Sequence, residues 1–416
     1  MKSTLNMIVL ALFVGLLLPV ASAQQVQSMK LLTPQVGWAQ SGQHLYWTTD
    51  DGAHWKDIAP SKSPKESIGG VFFLDSSNGW VLLSYPDEKD EQQYRMAITH
   101  DAGATWSTTP MKLPWNAQNF AGGAEIFFLD TLRGWMNVKL SHGLIPAGAR
   151  LLVTQDGGKT WTAPNGEPGW AGRSMCFFNQ TDGVLAGGGT EGTELWVTHD
   201  GSRNWQRSEL KAPKGTAPPD ATFPTYGSPV CEDSKRGFLP VTFSGSEEGS
   251  AFVLFATSDS GRTWKADRVL PNMPDTSPGE ITPSAVADSI LMVATWSGGE
   301  ANLASVAPSG AMSHIKLSGA LKAVSSLSFA DHLHGWAATL HGMYSTSDGG
   351  ATWTDITPPT GHATAPLPTL PKGKPAGAAP GLRFPDSPMA AVTVRPYRNV
   401  GSLTDIHLGF DTGQAP

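Results

Sequence analysis

Three features of the 416-residue sequence predict an all-β fold, a seven-bladed β-propeller of four-stranded antiparallel blades with a Pro-rich C-terminal tail. One eight-residue turn pattern recurs six times, a strand carrying Gly-Trp or a relative precedes the copies, and no sustained helical periodicity follows the N-terminal apolar run. The pattern, (Ser/Thr)-x-Asp-x-Gly-x-Thr-Trp, is clearest at Thr346–Trp353 and returns at Thr48–Trp55, Thr99–Trp106, Thr154–Trp161, Thr198–Trp205 and Thr257–Trp264.

The chain begins with Lys2, an apolar run from Met7 to Val20 and Ala21-Ser22-Ala23 before Gln24. These read as a signal peptide, 1–23, and predict an exported protein, periplasmic or extracellular, with no membrane span after cleavage. Loss of Lys2 leaves 28 basic against 36 acidic residues, a balance that does not invite nucleic acid. The 46 Gly, 32 Pro and 15 Trp suit short strands joined by many turns.

The propeller is expected over 24–357. In each copy of the turn an Asp (Asp50, Asp101, Asp156, Asp200, Asp259, Asp348) accepts backbone N–H bonds, and the fifth-position residue, usually Gly, takes positive φ. The closing Trp (Trp55, Trp106, Trp161, Trp205, Trp264, Trp353) opens the next strand. Its burial of roughly 150–250 Å² contributes at most roughly 4–6 kcal/mol. Identical acids in repeated turns are structural, so no catalytic residue is assigned among them. His54 replaces Thr in the first copy, and Ser202 and Asn204 replace Gly and Thr in the fourth; these two turns are expected to be the least regular.

Upstream of each turn lie an apolar strand, an Asp or Asn, three residues and then Gly-Trp or a relative, as in FFLDTLRGWMNV and LSFADHLHGWAAT. Each repeat therefore holds four strands, the content of a propeller blade. The gap of 89 residues between Asp259 and Asp348 is twice a repeat. Residues 284–317 fill it as a degenerate sixth blade, with Pro308 at the Asp position and Gly310 kept. Whole blades run from a first strand near Lys30 to a last near Asp355, so closure by a shared strand is not evident.

These turns resemble the Asp-box, or BNR, repeat of sialidases, sortilin-type domains and photosystem II assembly factor-like proteins. The resemblance implies an Asp-box propeller and a role in recognising or helping to assemble a protein partner. The sialidase alternative implies an arginine triad, a Tyr–Glu nucleophile pair and an Asp acid. The box carries none of these, the mature chain has no Arg-Ile-Pro near its start, and Arg95, Arg173 and Arg236 lie in different repeats with no motif to gather them.

Residues 358–387 read as a Pro/Ala/Gly-rich linker. In the tail, 388–416, DIHLGFDTGQAP resembles the opening strand of a glycoside-hydrolase-like barrel; the rest of such a barrel is not in the sequence, and Asp411 has no catalytic partners. A tail without fold is the other reading.

The connections divide by length. The Asp-box turns and first-to-second-strand turns on one face are short and alike. The opposite face carries Tyr85–Tyr94 and Ser208–Pro229, and long loops on a rigid scaffold are where binding resides. Trp115, Trp170, Arg173 and Tyr226 fall in its loops and are types that dominate binding hot spots. They form the candidate site for a protein partner or, on the alternative reading, a glycan. Glu167 is the loop acid a divergent glycosidase would use.

No cofactor or metal is expected. His332 and His334 sit in a turn without evident carboxylate partners, His100 and His199 occupy exposed box positions, and Gly187-Gly188-Gly189 opens no helix. Cys176 and Cys231 fall on the innermost strands of neighbouring blades but one register position apart. Strand alternation then points them to opposite faces, and they are expected to be buried free thiols.

Overall fold

The computed structural model describes residues 25–359, except 90–91, 114–119, 143–144, 167–173, 189–191, 219–220, 222–223, 246–248, 274–281 and 298–299. The expected signal peptide, the linker beyond 359 and the tail with Asp411 lie outside the described residues.

The chain folds as a seven-bladed propeller of antiparallel sheets, each built from consecutive strands. Blade 1 comprises Ser28–Leu31, Gly37–Ser41, His44–Thr48 and Lys56–Asp57. Blade 7 comprises Val324–Phe329, Gly335–Thr339, Met343–Thr346 and Thr354–Asp355. Two blades depart from the pattern: the outermost strand of blade 3 is reduced to the bridge Val153–Thr162, and the innermost strand of blade 5 is split into Pro224–Tyr226 and Val230–Cys231. Blade 6 is present at Ser284–Ala287, Ile290–Ser297, Glu300–Val306 and Met312–Ile315.

The box turn is fixed by its own side chains. In the second copy the Thr99 hydroxyl donates to Asp101 Oδ1 (2.8 Å) and accepts the Gly103 N–H (2.9 Å), while Thr105 donates its N–H to Oδ1 (2.8 Å) and its hydroxyl to Oδ2 (2.6 Å). The fourth and fifth positions both lie at positive φ, 58° at Ala102 and 76° at Gly103. The turns expected to be irregular are not. His54 gives Asp50 the same pair of bonds through its N–H (2.9 Å) and Nδ1 (2.7 Å), and Asn204 does so for Asp200 (2.9 and 2.7 Å). His and Asn supply the second donor that Thr supplies elsewhere, and Ser202 accepts a φ of 71°.

Blades are tied around the ring by the Gly-Trp tryptophans. Trp80 donates its indole N–H to Gly157 O (2.8 Å), Trp135 to Ser202 Oγ (2.9 Å) and Trp336 to Asp51 Oδ1 (2.8 Å), each reaching the next blade's box. Trp80 stacks on Phe128 and Trp135 on Phe177, with centroids 3.7 and 3.6 Å apart. The preceding glycine is required: a Cβ on Gly79 would meet the Phe73 ring at 2.4 Å. Closure uses no shared strand. Trp336 bonds to Asp51, Trp55 donates to Ile356 O (2.7 Å) and the Leu31 N–H reaches Ser328 Oγ (3.0 Å).

Blade 6 compensates for its missing box from outside. Arg268, 4% exposed on the outermost strand of blade 5, Lys265–Met273, donates Nη1 to Ser289 O (2.7 Å) and Val306 O (2.9 Å) of blade 6. Its Nε bonds to Asp267 (2.7 Å) and its guanidinium lies over the Phe238 ring.

Cys176 and Cys231 are joined by a disulfide, not free, with Cα atoms 6.0 Å apart. The expectation failed because it treated the two strands as parts of one sheet. Neighbouring blades stack face to face, so two residues meet across the seam only when they occupy opposite faces of their own sheets, which is what a one-residue offset produces. Phe177, in the register position of Cys231, faces blade 3, whereas Cys176 faces blade 5.

Candidate functional site

The two faces of the ring differ as their connections imply. On the box face the six box acids are bonded within their own turns. Asp50 and Asp101 are each held at about 2, first by the side-chain bond from His54 and Thr105 respectively, and then by the backbone N–H of the same residue. They are fixed anions unsuited to proton transfer near neutral pH.

On the long-loop face the residues proposed from the sequence do not come together in the described residues. Trp115, Trp170 and Arg173, like Glu167, lie outside them. Tyr226 is described, is 1% exposed, and sits in the core between blades 4 and 5. Its hydroxyl accepts the Leu210 N–H at 3.0 Å, and burial pushes its pKa up to about 12. Tyr226 therefore holds the chain after blade 4 at Leu210, and its ring is not free for a partner. The blade 2 loop is also shorter than the sequence implies, because strands Gly79–Pro86 and Gln92–Thr99 extend into it.

Sequence reasoning missed Glu125. It lies on the innermost strand of blade 3, Phe120–Phe128, in the seam with blade 4, paired across the sheet with Asn137. Oε1 accepts the Met175 N–H at 3.2 Å, and Oε2 is enclosed without a hydrogen-bond partner. Burial raises the carboxyl to about 8, against the smaller effects of that N–H, Lys139 and Ser174, so it is mainly protonated at neutral pH. The signal was a lone Glu within FAGGAEIFF. Around the same face Arg95 pairs with Glu66 and lies over Tyr85, and the Ser174 and Ser228 hydroxyls meet at 2.8 Å.

The described residues offer one group with metal-ligand chemistry. Asp288, Asp331 and His332 bring one ligand atom each within 4.8 Å of one another on the box face, which corrects the expectation that His332 lacks carboxylate neighbours. His332 Nδ1 is already bonded to Asp288 Oδ2 at 2.9 Å, and all three are at least partly exposed. This is a hydrogen-bonded contact between exposed turns of blades 6 and 7.

No family model and no curated protein matches the chain. Solved propellers resemble it. YCF48 bound to D1 peptide is 20% identical, with 70% of this chain and 82% of that chain covered and a TM-score of 0.42. The GH74 xyloglucanase of Xanthomonas campestris is 13% identical over 81% of this chain, with a TM-score of 0.53, and the chain covers 55% of that enzyme. The Cps50 (Swd1) propeller domain of Myceliophteria thermophila is 8% identical over 78% of this chain and 97% of that chain, with a TM-score of 0.50. At these identities the likeness to the xyloglucanase and to the Cps50 domain shows the fold alone. Among the described residues no helix is long and apolar enough to cross a membrane, and the disulfide fits an oxidising compartment.

Proposed function

We propose that this protein is an exported, non-catalytic propeller scaffold that binds a protein partner through its long-loop face, in the manner of assembly factor-like propellers. The observation that carries this reading is the commitment of the box carboxylates to their own turns, which leaves them a structural role. On the long-loop face Glu66 is held by Arg95, and Glu125 is enclosed in its seam. What varies is the set of connections between blades, and variable loops on a fixed ring are a recognition surface. Trp115, Trp170 and Arg173 are the proposed contacts. The signal-like N-terminus supports export.

The test is retention of cell-envelope proteins by immobilised protein and by a Trp115→Ala, Trp170→Ala variant, with a glycan array probed in parallel. Retention of a defined protein that the folded variant loses supports the proposal. Glycan binding or turnover abolished by the same variant replaces it with a carbohydrate-active reading.

A further inference from the structure

The box face is divided by charge. In blades 6, 7, 1 and 2 its turns carry no Lys or Arg and expose Asp288, Asp331, Asp348, Asp50, Asp75 and Asp101. In blades 3, 4 and 5 the corresponding turns carry Arg133, Lys159, Arg203, Lys235, Arg236 and Arg262 against a similar number of acids. The box acids recur in every blade but the sixth, so the difference lies in where bases are withheld. In this half the acids meet histidines, at Asp50, Asp288 and Asp331, and no Lys or Arg of the turns.

Within that half, between the box turns of blades 1 and 2, lies a groove of about 370 Å³. Its floor is apolar, with Trp47 and Ile58 only 6% and 4% exposed, and Trp55 stands on one side. Asp50 and Asp101 stand at the rim with the exposed His54. The same seam lacks one bond. In blades 2, 3 and 7 the Gly-Trp indole N–H donates to the fourth or fifth residue of the next box. Trp38, their equivalent in blade 1, is 5% exposed, and its indole N–H is buried without a partner. By that equivalence it faces the Ala102 turn, which walls the groove.

We propose that this groove receives an arginine or lysine side chain from a basic segment of a second partner, its aliphatic stem on Trp47 and Ile58 and its cationic head between Asp50 and Asp101. The match is one of charge and shape together. Long basic side chains cover apolar surface with their stems while the head stays polar, and guanidinium also stacks on aromatic faces. Lys56 is the one Lys or Arg of the lining, and it opposes a cationic occupant. The site is on the face opposite the long loops and rests on none of the residues proposed there. A molecule with both surfaces would bridge two partners.

The test uses the full protein and the peptide acetyl-Gly-Arg-Arg-Gly-amide, with its citrulline analogue as the uncharged copy, followed by methyl NMR at about 0.15 M salt, where diffuse surface attraction is screened. The arginine peptide should bind roughly tenfold tighter than the citrulline peptide and shift the Ile58, Ala102 and Ala104 methyl resonances. Ala104→Arg, which places a competing cation in the groove, should abolish those shifts, and Lys56→Ala should tighten binding. Ala351→Arg adds the same charge to the same acidic half outside the groove and should leave binding unchanged. Equal binding of the two peptides, or equal losses in Ala104→Arg and Ala351→Arg, overturns the proposal in favour of diffuse electrostatics.

Discussion

The indole N–H of Trp336 donates to Asp51 Oδ1 at 2.8 Å, joining the last blade to the first across 285 residues of chain. Trp336 is fully buried, and Asp51 has a raised pKa because burial outweighs this bond. Trp336→Phe keeps an aromatic ring but removes the donor. It should lower the unfolding free energy by about 1–3 kcal/mol in urea titration, the cost of a polar group left unpaired. Asp51→Asn, which keeps an acceptor, should cost less than Asp51→Ala. Equal costs would show that the bond does not contribute to closure.

Two sets of carboxyls should give pH dependences of opposite sign. Asp50 and Asp101 titrate near 2 in the fold and near 3.8 when free. Their contribution is present above pH 4 and is lost as pH falls toward 2, where the unfolded chain binds more protons. Glu125 is raised to about 8, so the native state holds the extra proton and stability falls as pH rises from 4.5 through 8. The melting temperature of Asp101→Asn should fall less steeply on acidification than that of wild type. Glu125→Gln should remove the alkaline slope, and a wild-type profile flat between pH 5 and 9 would rule out the neutral carboxyl.

The Cys176–Cys231 bond closes a loop spanning 55 residues. In the chain-entropy description a loop of that length stabilises by about 4 kcal/mol. Cys176→Ser with Cys231→Ser should lose up to that amount. Alkylation of the denatured, unreduced protein should leave its mass unchanged. Two added alkyl groups would show free thiols.

Arg268→Met should remove the donor to Ser289 O and Val306 O while roughly keeping the volume of the stem. An expected loss of about 2–4 kcal/mol follows from stranded buried acceptors. Hydrogen exchange should show the loss concentrated in blade 6, Ser284–Ile315. Uniform exchange acceleration would contradict a local brace.

Much of this was legible in the sequence because each blade repeats the same local solution. Thr99, Asp101, Gly103 and Thr105 bond among themselves within seven residues, so their spacing alone encodes the turn. What depends on the stacking of one blade on the next was not legible. Cys176 and Cys231 were misjudged because an offset that separates side chains in one sheet brings them together between two. Arg268 looks like any charged residue on an outer strand, and its acceptors lie 21 and 38 residues away. Tyr226 looked like a loop aromatic, although its burial is set by residues from two blades. The groove between blades 1 and 2 belongs to the same class, since Trp47, Ile58 and Asp50 come from blade 1 and Asp101, Ala102 and Ala104 from blade 2.

Because every blade is drawn from consecutive strands, with none contributed by the far end of the chain, a cut between two blades severs no sheet. The order in which the blades leave the ribosome is therefore separable from the ring they form. A circular permutant opened in the described connection 58–66, with 359 linked to 25, would begin on blade 2 and finish on blade 1. The junction now held by Trp336, Trp55 and Leu31 would become one more covalent connection. Such a chain converts a seam made only of side-chain contacts into a tethered one, and places the new ends beside blades 1 and 2.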